Sequence, residues 1–135
     1  MAFAVNSTSV QTDACKKFVD VMKKSNVGEL ITSAGVFNCK QIAGSTTFSQ
    51  HSWGNAVDLM ASGDDLERIA HNAVRQGTEK TKSNEGDLLP VDRVIFKERI
   101  WRPNEGWSAY TGEPHTNHVH IDFRPAKTGR PPCAD

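Results

Sequence analysis

Four of the five histidines lie in two short segments whose spacing could create a metal site. The first segment carries His51 and Asp58, seven positions apart, with Gly54 between them. The second carries His118 and His120, and residues two apart in a strand lie on the same face of a sheet. A turn at the glycine would bring His51 and Asp58 to the same point as that face. These two side chains and one histidine of the pair would give the three protein ligands and open position of a catalytic zinc ion.

These residues must be positioned by strands, and hydrophobic periodicity predicts where the elements lie. Strands are predicted over residues 29–33, 55–60, 93–97 and 118–123, with Ile100 and Trp101 prolonging the third. Helices are predicted from a cap at Asp13 to residues 25–28, and from a cap at Ser62 to a stop at Gly77. Residues 102–114 are expected to be irregular and the tail 124–135 to be extended or loose. Without regular βα alternation, this order predicts α+β, a mainly antiparallel sheet with helices packed on it.

Length and charge limit the possible number of domains and the possible partners. The chain has 135 residues, the size of one domain, so a single domain over 1–135 is expected. Sixteen basic and sixteen acidic residues leave no net charge, which argues against a nucleic-acid partner. The sequence has no apolar run of the roughly 18 residues needed to cross a bilayer, and its start lacks the pattern of a signal peptide. We therefore expect a monomer that neither inserts into membranes nor carries an export signal.

The three cysteines, Cys15, Cys39 and Cys133, are an odd number without a CxxC pair. This usage fits reduced thiols in a cytosol better than a disulfide framework. One bridge remains possible, and the sequence does not choose among the three pairings.

The two histidine segments also resemble a known family. SQHSWGNAVDL, from residue 49, is similar to the SxHxxGxAxD signature of the zinc D-Ala-D-Ala peptidases, the VanY-like and LAS-type peptidoglycan peptidases. HTNHVHID, from residue 115, resembles their HxH motif, and GVFNCKQIAGSTTFSQH resembles their lead-in. The resemblance implies a hedgehog-like or DD-peptidase-like fold that holds one Zn²⁺ per chain. It also implies that His51, Asp58 and His120 are the zinc ligands and His118 the catalytic base.

The substrate residues follow from the same resemblance, with two departures. His115 matches a further active-site histidine of some members, and with Lys40 it is assigned to substrate binding. No GxSxG elbow surrounds Ser49, so this residue is expected to bind substrate or to support a metal ligand rather than to act as a nucleophile. Lys40 stands where the lead-in usually has arginine, so the charge is kept but the bidentate fork is lost. Asn117 stands where many relatives have an acidic base, and it cannot take a proton. His118 must then do that work.

Several neighbouring residues keep two interpretations. Asp122 shares the face of His118, so it could orient a metal ligand or simply cap its strand. Trp53, Trp107 and Tyr110 could line a cleft, although core packing is at least as common for such residues.

The sequence supports three functional hypotheses. The first is a zinc-dependent peptidase that cuts peptide stems or cross-links of peptidoglycan. Because the substrate lies outside the membrane and no export signal is seen, a phage endolysin is expected, made in the host cytoplasm and released to the wall through a holin-type pore. Truncation of a longer precursor and a virion-borne wall-piercing enzyme would give the same pattern. The second is a non-catalytic zinc-binding interaction domain, as in the similar hedgehog signalling domain. The third, a Cys-His hydrolase using Cys39, is weak because no oriented base can be assigned.

Overall fold

A computed structural model describes residues 3–135 of the chain. Within that range seven strands form one sheet in the order β1-β2-β3-β7-β4-β5-β6. The strands are β1 Ala4–Asn6, β2 Ser33–Gly35, β3 Ala56–Met60, β4 Val91–Phe96, β5 Arg99–Arg102, β6 Gly106–Ala109 and β7 His118–Phe123. The helices are α1 Asp13–Lys24 and α2 Leu66–Thr78. Among the strand pairs, β1 with β2 is parallel and the others are antiparallel, which confirms the predicted α+β class.

The helices pack on the sheet through an alternating apolar pattern. Val119, Ile121 and Phe123 of β7 are fully buried in the main core, as their spacing predicts. Phe18 of α1 packs on Phe123 with ring centroids 5.2 Å apart. The opposite face of β7 is therefore left to its polar residues. None of the helices over residues 3–135 has the length and apolarity to span a bilayer.

The cap of α1 also ties this helix to the strand that carries Asp58. Thr12, one residue before the predicted cap at Asp13, accepts a hydrogen bond from the Cys15 N–H at 3.2 Å. The Thr12 hydroxyl lies 3.1 Å from Oδ1 of Asn55, directly before β3. The start of α1 is thus hydrogen-bonded to the residue that precedes β3.

Two sequence predictions about strands are wrong. The strand expected over 29–33 is a 3₁₀ turn, Gly28–Leu30, and β2 begins only at Ser33, where the chain meets β3. Ile100 and Trp101 do not prolong β4. The chain reverses at Lys97 and Glu98, both with positive φ, and pairs back as β5.

The segment expected to be irregular, residues 102–114, contains β6. β6 pairs with β5 across a turn that places Asn104 and Gly106 at positive φ. Asparagine and glycine tolerate this left-handed conformation better than other residues, so they were the local signal for a hairpin.

The tail and the cysteines also differ from expectation. Cys39 and Cys133 form a disulfide, so the expectation of reduced thiols is wrong for both, and the tail is anchored rather than loose. A sulfur held in a disulfide is no nucleophile, which removes the hydrolase hypothesis based on Cys39. Cys15 is free but buried, and burial raises the pKa of its thiol to about 12.

Candidate metal centre

A glycine turn places His51 beside β3. His51 lies in a 3₁₀ helix, Gln50–Trp53, that ends at Gly54 in the left-handed conformation, with φ of 64°. A Cβ atom on Gly54 would lie 2.0 Å from the carbonyl oxygen of Val10, so only glycine fits there. The chain turns at this point into the strand that carries Asp58, as the spacing predicts.

A hydrogen bond to a backbone carbonyl group holds the His51 ring in one orientation. Its Nδ1 lies 2.6 Å from the carbonyl oxygen of Val36, so Nδ1–H donates and Nε2 is left facing Asp58. The Ser49 hydroxyl accepts a hydrogen bond from the His51 backbone N–H at 3.2 Å. Ser49 therefore caps the short helix that holds His51; its predicted contact with substrate stays a prediction.

The register of β3 against β7 brings the other ligands together. Asp58 pairs with His120, and Met60 pairs with His118. Oδ1 of Asp58 lies 3.1 Å from Nε2 of His51 and 3.3 Å from Nδ1 of His120. Nε2 of His118 lies slightly farther from the same oxygen, at 3.8 Å.

These distances fit a metal ion. The ligand atoms of His51, Asp58 and His120 all lie within 4.8 Å of one another. Zinc–nitrogen bonds of about 2.0 to 2.1 Å in a tetrahedron set neighbouring ligand atoms about 3.3 Å apart. The Asp58 side chain is 29% exposed while those of His51 and His120 are 6% and 9% exposed. The two histidines of the cluster are thus buried, and the cluster is open to solvent on the side of the Asp58 carboxylate.

A buried ion pair fixes the His120 ring. Its Nε2–H donates to Oδ2 of Asp122 at 2.9 Å, and Nε of Arg93 donates to the same oxygen at 2.8 Å. Of the two interpretations of Asp122, the structure therefore supports the orienting role. No sequence pattern pointed to Arg93, which lies on β4 and meets Asp122 only because β4 pairs with β7.

Two carboxylates on either side of His120 control its charge. Burial alone would lower the pKa of His120, but hydrogen bonds to Asp122 and Asp58 outweigh it and raise the pKa to about 9. Burial alone would raise the pKa of Asp58, yet hydrogen bonds from His120 and His51 hold that pKa well below its usual range. The pKa of Asp122 is lowered as well, by His120 and Arg93 against the effect of burial. Without metal, His120 therefore carries a proton near neutral pH, at the position where a cation would bind.

The pKa values of His118 and His115 are shifted in the opposite direction from that of His120. Burial lowers the pKa of each below its ordinary value, which favours neutral rings near pH 7. Nδ1 of His118 lies 2.7 Å from Oδ1 of Asn117, so Nδ1–H donates and the Nε2 lone pair faces the cluster. The His115 ring contacts that of His118, with centroids 4.8 Å apart, and Tyr110 contacts His115 at 5.7 Å. The structure thus places His115 and Tyr110 at the border of the site.

The remaining predicted residues lie apart from this cluster. Lys40 is exposed in the preceding loop, where its backbone N–H donates to the Ser52 hydroxyl at 3.1 Å. Trp107 packs edge-on against Phe96 at 5.4 Å and so belongs to the edge of the core. Its cleft role is therefore not supported, while the substrate role of Lys40 stays a prediction.

Comparison with known proteins gives one family. The family described as VldE, C-terminal domain, matches residues 10–121 of the chain. That segment includes both helices, the glycine turn and all three candidate ligands. No curated protein and no solved structure matches the chain.

Proposed function

The chain belongs to the VldE C-terminal domain family, and we propose that it is a zinc-dependent peptidase acting on peptide stems or cross-links of bacterial peptidoglycan. The observation that carries the proposal is the cluster of His51, Asp58 and His120, whose ligand atoms all lie within 4.8 Å of one another. Two histidines and a carboxylate are a ligand set that catalytic zinc uses. The choice of substrate rests on the SxHxxGxAxD and HxH resemblance of the same residues.

Each residue of the site has a separate task. Held by Nε2 of His51, Oδ1 of Asp58 and Nδ1 of His120, zinc would supply Lewis acidity toward water and a peptide carbonyl. Asp122 keeps the Nε2–H of His120 bound, so the Nδ1 atom stays directed at Asp58. Three protein ligands leave the fourth coordination position open to water or substrate, whereas a structural zinc site has four protein ligands.

His118 is the proton carrier in this proposal. Asn117 holds its Nδ1–H, so Nε2 is the atom that accepts a proton from water and later donates it to the leaving amine. Burial favours its neutral form, which can accept a proton near pH 7. A base in this position contributes on the order of a hundred- to ten-thousandfold in rate.

Two alanine variants separate binding from proton transfer. His118→Ala is expected to keep most of the zinc but to lose most activity, whereas His120→Ala loses both. His71→Ala is the matched control, because His71 is exposed and contacts Trp107, away from the cluster. Zinc content by metal analysis and hydrolysis rate are measured on the same samples. Equal zinc loss in the two site variants would contradict this division of roles.

The substrate is tested on purified sacculi. Incubation with and without a chelator, followed by labelling of released amines, is expected to show zinc-dependent release, and mass spectrometry of the muropeptides identifies the bond. Wall chemotypes with different cross-links are compared. Zinc binding without release on any of them would favour the alternative, a non-catalytic interaction domain of the hedgehog type.

The biological setting that we propose is phage lysis. In this setting, a peptidase made in the host cytoplasm would reach the wall through a holin-type pore. Expression in a bacterial host with and without a holin tests it. Lysis that needs the holin supports the proposal, and holin-independent lysis opposes it.

A further inference from the structure

The C-terminal tail is fastened beside the helix that carries His51. The Gln50 side chain binds both backbone polar groups of Lys127, donating to its carbonyl oxygen at 2.8 Å and accepting from its N–H at 2.9 Å. The disulfide between Cys39 and Cys133 holds the far end of the tail. Because Gln50 begins the 3₁₀ helix Gln50–Trp53, the tail is fixed next to the helix that carries His51.

Between this tail and the loop before His51 lies a groove of about 540 Å³. We call it the tail groove. Its lining includes Phe48, Trp53, Lys127 and Arg130, together with amide and hydroxyl side chains such as those of Gln41 and Thr47. Two aromatic rings and two cations are present, and the described lining contains no acidic residue. The groove therefore offers apolar surface together with positive charge.

The cations of the groove can receive a ligand. Both polar contacts that the described structure gives Lys127 are made by its backbone, so its ammonium group stays available. Arg130 pairs with Asp135 at 3.2 Å and also donates to the carbonyl oxygen of Ala134, but the side chains of the pair are 65% and 75% exposed. Exposed pairs of this kind contribute only about 0 to 1 kcal/mol, so a ligand carboxylate can compete for the guanidinium.

We propose that the tail groove binds an acidic peptide that carries at least two free carboxylates and small apolar side chains. Lys127 and Arg130 bind the carboxylates, while Trp53 and Phe48 cover the apolar side chains. Hydroxyl and amide groups of the lining form hydrogen bonds with the peptide backbone. The inference rests on the proposed function, since the groove would hold the acidic part of a peptidoglycan stem away from the cleaved bond.

The test measures binding rather than hydrolysis. The tripeptide L-Ala-D-isoGlu-diaminopimelate is titrated calorimetrically into the full chain, with zinc and after chelation, and compared with the same tripeptide with amidated carboxylates. Lys127→Met is expected to weaken binding about tenfold, the loss of one hydrogen bond to a charged group, and amidation, which removes the charged contacts of both Lys127 and Arg130, is expected to weaken it further. Lys82→Met is the matched control, because Lys82 is exposed and lines a different cavity, beside Lys24 and Arg75. It is expected to bind normally.

The possible outcomes separate this inference from the proposed catalysis. Binding that survives chelation and depends on Lys127, in a protein that releases nothing from sacculi, supports the groove and contradicts the peptidase. Sacculus hydrolysis with no tripeptide binding, or with equal binding by Lys127→Met, overturns the groove and leaves the peptidase.

Discussion

Replacing Asp122 with asparagine removes the charge that holds His120 while keeping the size of the side chain. Asp122 is 1% exposed and accepts hydrogen bonds from His120 and Arg93 at one oxygen, Oδ2. Asparagine offers a single oxygen without charge, so Arg93 loses its counter-ion and the His120 ring is held less firmly. We expect two separate effects, one on stability and one on metal affinity.

The magnitudes follow from burial. Removing one partner of a buried ion pair typically costs about 3 to 5 kcal/mol; because the Arg93 side chain is 24% exposed, the lower end is expected for the metal-free protein. Loss of the partner that orients a metal-binding histidine weakens metal affinity about 10- to 100-fold, or about 1.4 to 2.7 kcal/mol. Asp122→Asn should therefore lower both the urea midpoint of the metal-free protein and its zinc affinity.

The matched control is Asp87→Asn. Asp87 pairs with Lys17 at 3.0 Å, but both side chains are more than half exposed, so the same chemical change should cost about 0 to 1 kcal/mol. Urea unfolding of chelated protein gives stability, and competition with a fluorescent zinc indicator gives affinity. If Asp122→Asn matches Asp87→Asn in both measurements, the argument that the buried pair positions His120 is wrong.

Four further predictions concern protons and sulfur. The pKa of His120 is raised to about 9, so zinc must displace its proton: zinc affinity should rise about tenfold per pH unit from pH 7 to 9, and a flat profile would contradict this. Because that pKa exceeds the unfolded value of about 6.5, its contribution to the stability of the metal-free protein is complete below pH 6.5 and is lost as pH rises through about 9. Cys39→Ser with Cys133→Ser opens a crosslink between residues 94 positions apart and should lower the free energy of unfolding by roughly 2 to 5 kcal/mol in urea titrations; an unchanged midpoint would refute it. Burial raises the pKa of Cys15 to about 12, so iodoacetamide at pH 8 should leave the native protein unmodified by mass and label it only after unfolding.

The parts of the site that sequence analysis identified depend on local patterns. His118 and His120 alternate with Val119 and Ile121, and such alternation is visible in any strand with one buried face. The glycine turn between His51 and Asp58 spans only seven positions, so its geometry is also set locally.

The parts that were missed depend on contacts between distant segments. Arg93 reaches Asp122 through the pairing of β4 with β7, 29 positions apart. The disulfide joins residues 94 positions apart, and an odd cysteine count is compatible with any of three pairings. Hydrophobic periodicity carries no information about either contact. The composition of the tail, with three prolines among its last 12 residues, also gave no sign that Gln50 would hold it.

The position of the candidate metal ligands is set by the same residues that form the core. A slip of one residue between β3 and β7 would turn Val119, Ile121 and Phe123 from the core to the opposite face and would place the histidines in the apolar core instead. Burying three large apolar side chains contributes roughly 1.5 to 3 kcal/mol each, far more than one ladder hydrogen bond. The core therefore fixes the register that sets Asp58 beside His120, and the cluster forms without help from a metal ion. A site assembled in this way pays no folding cost on binding, so zinc should change the far-ultraviolet spectrum of the protein little while raising its melting temperature.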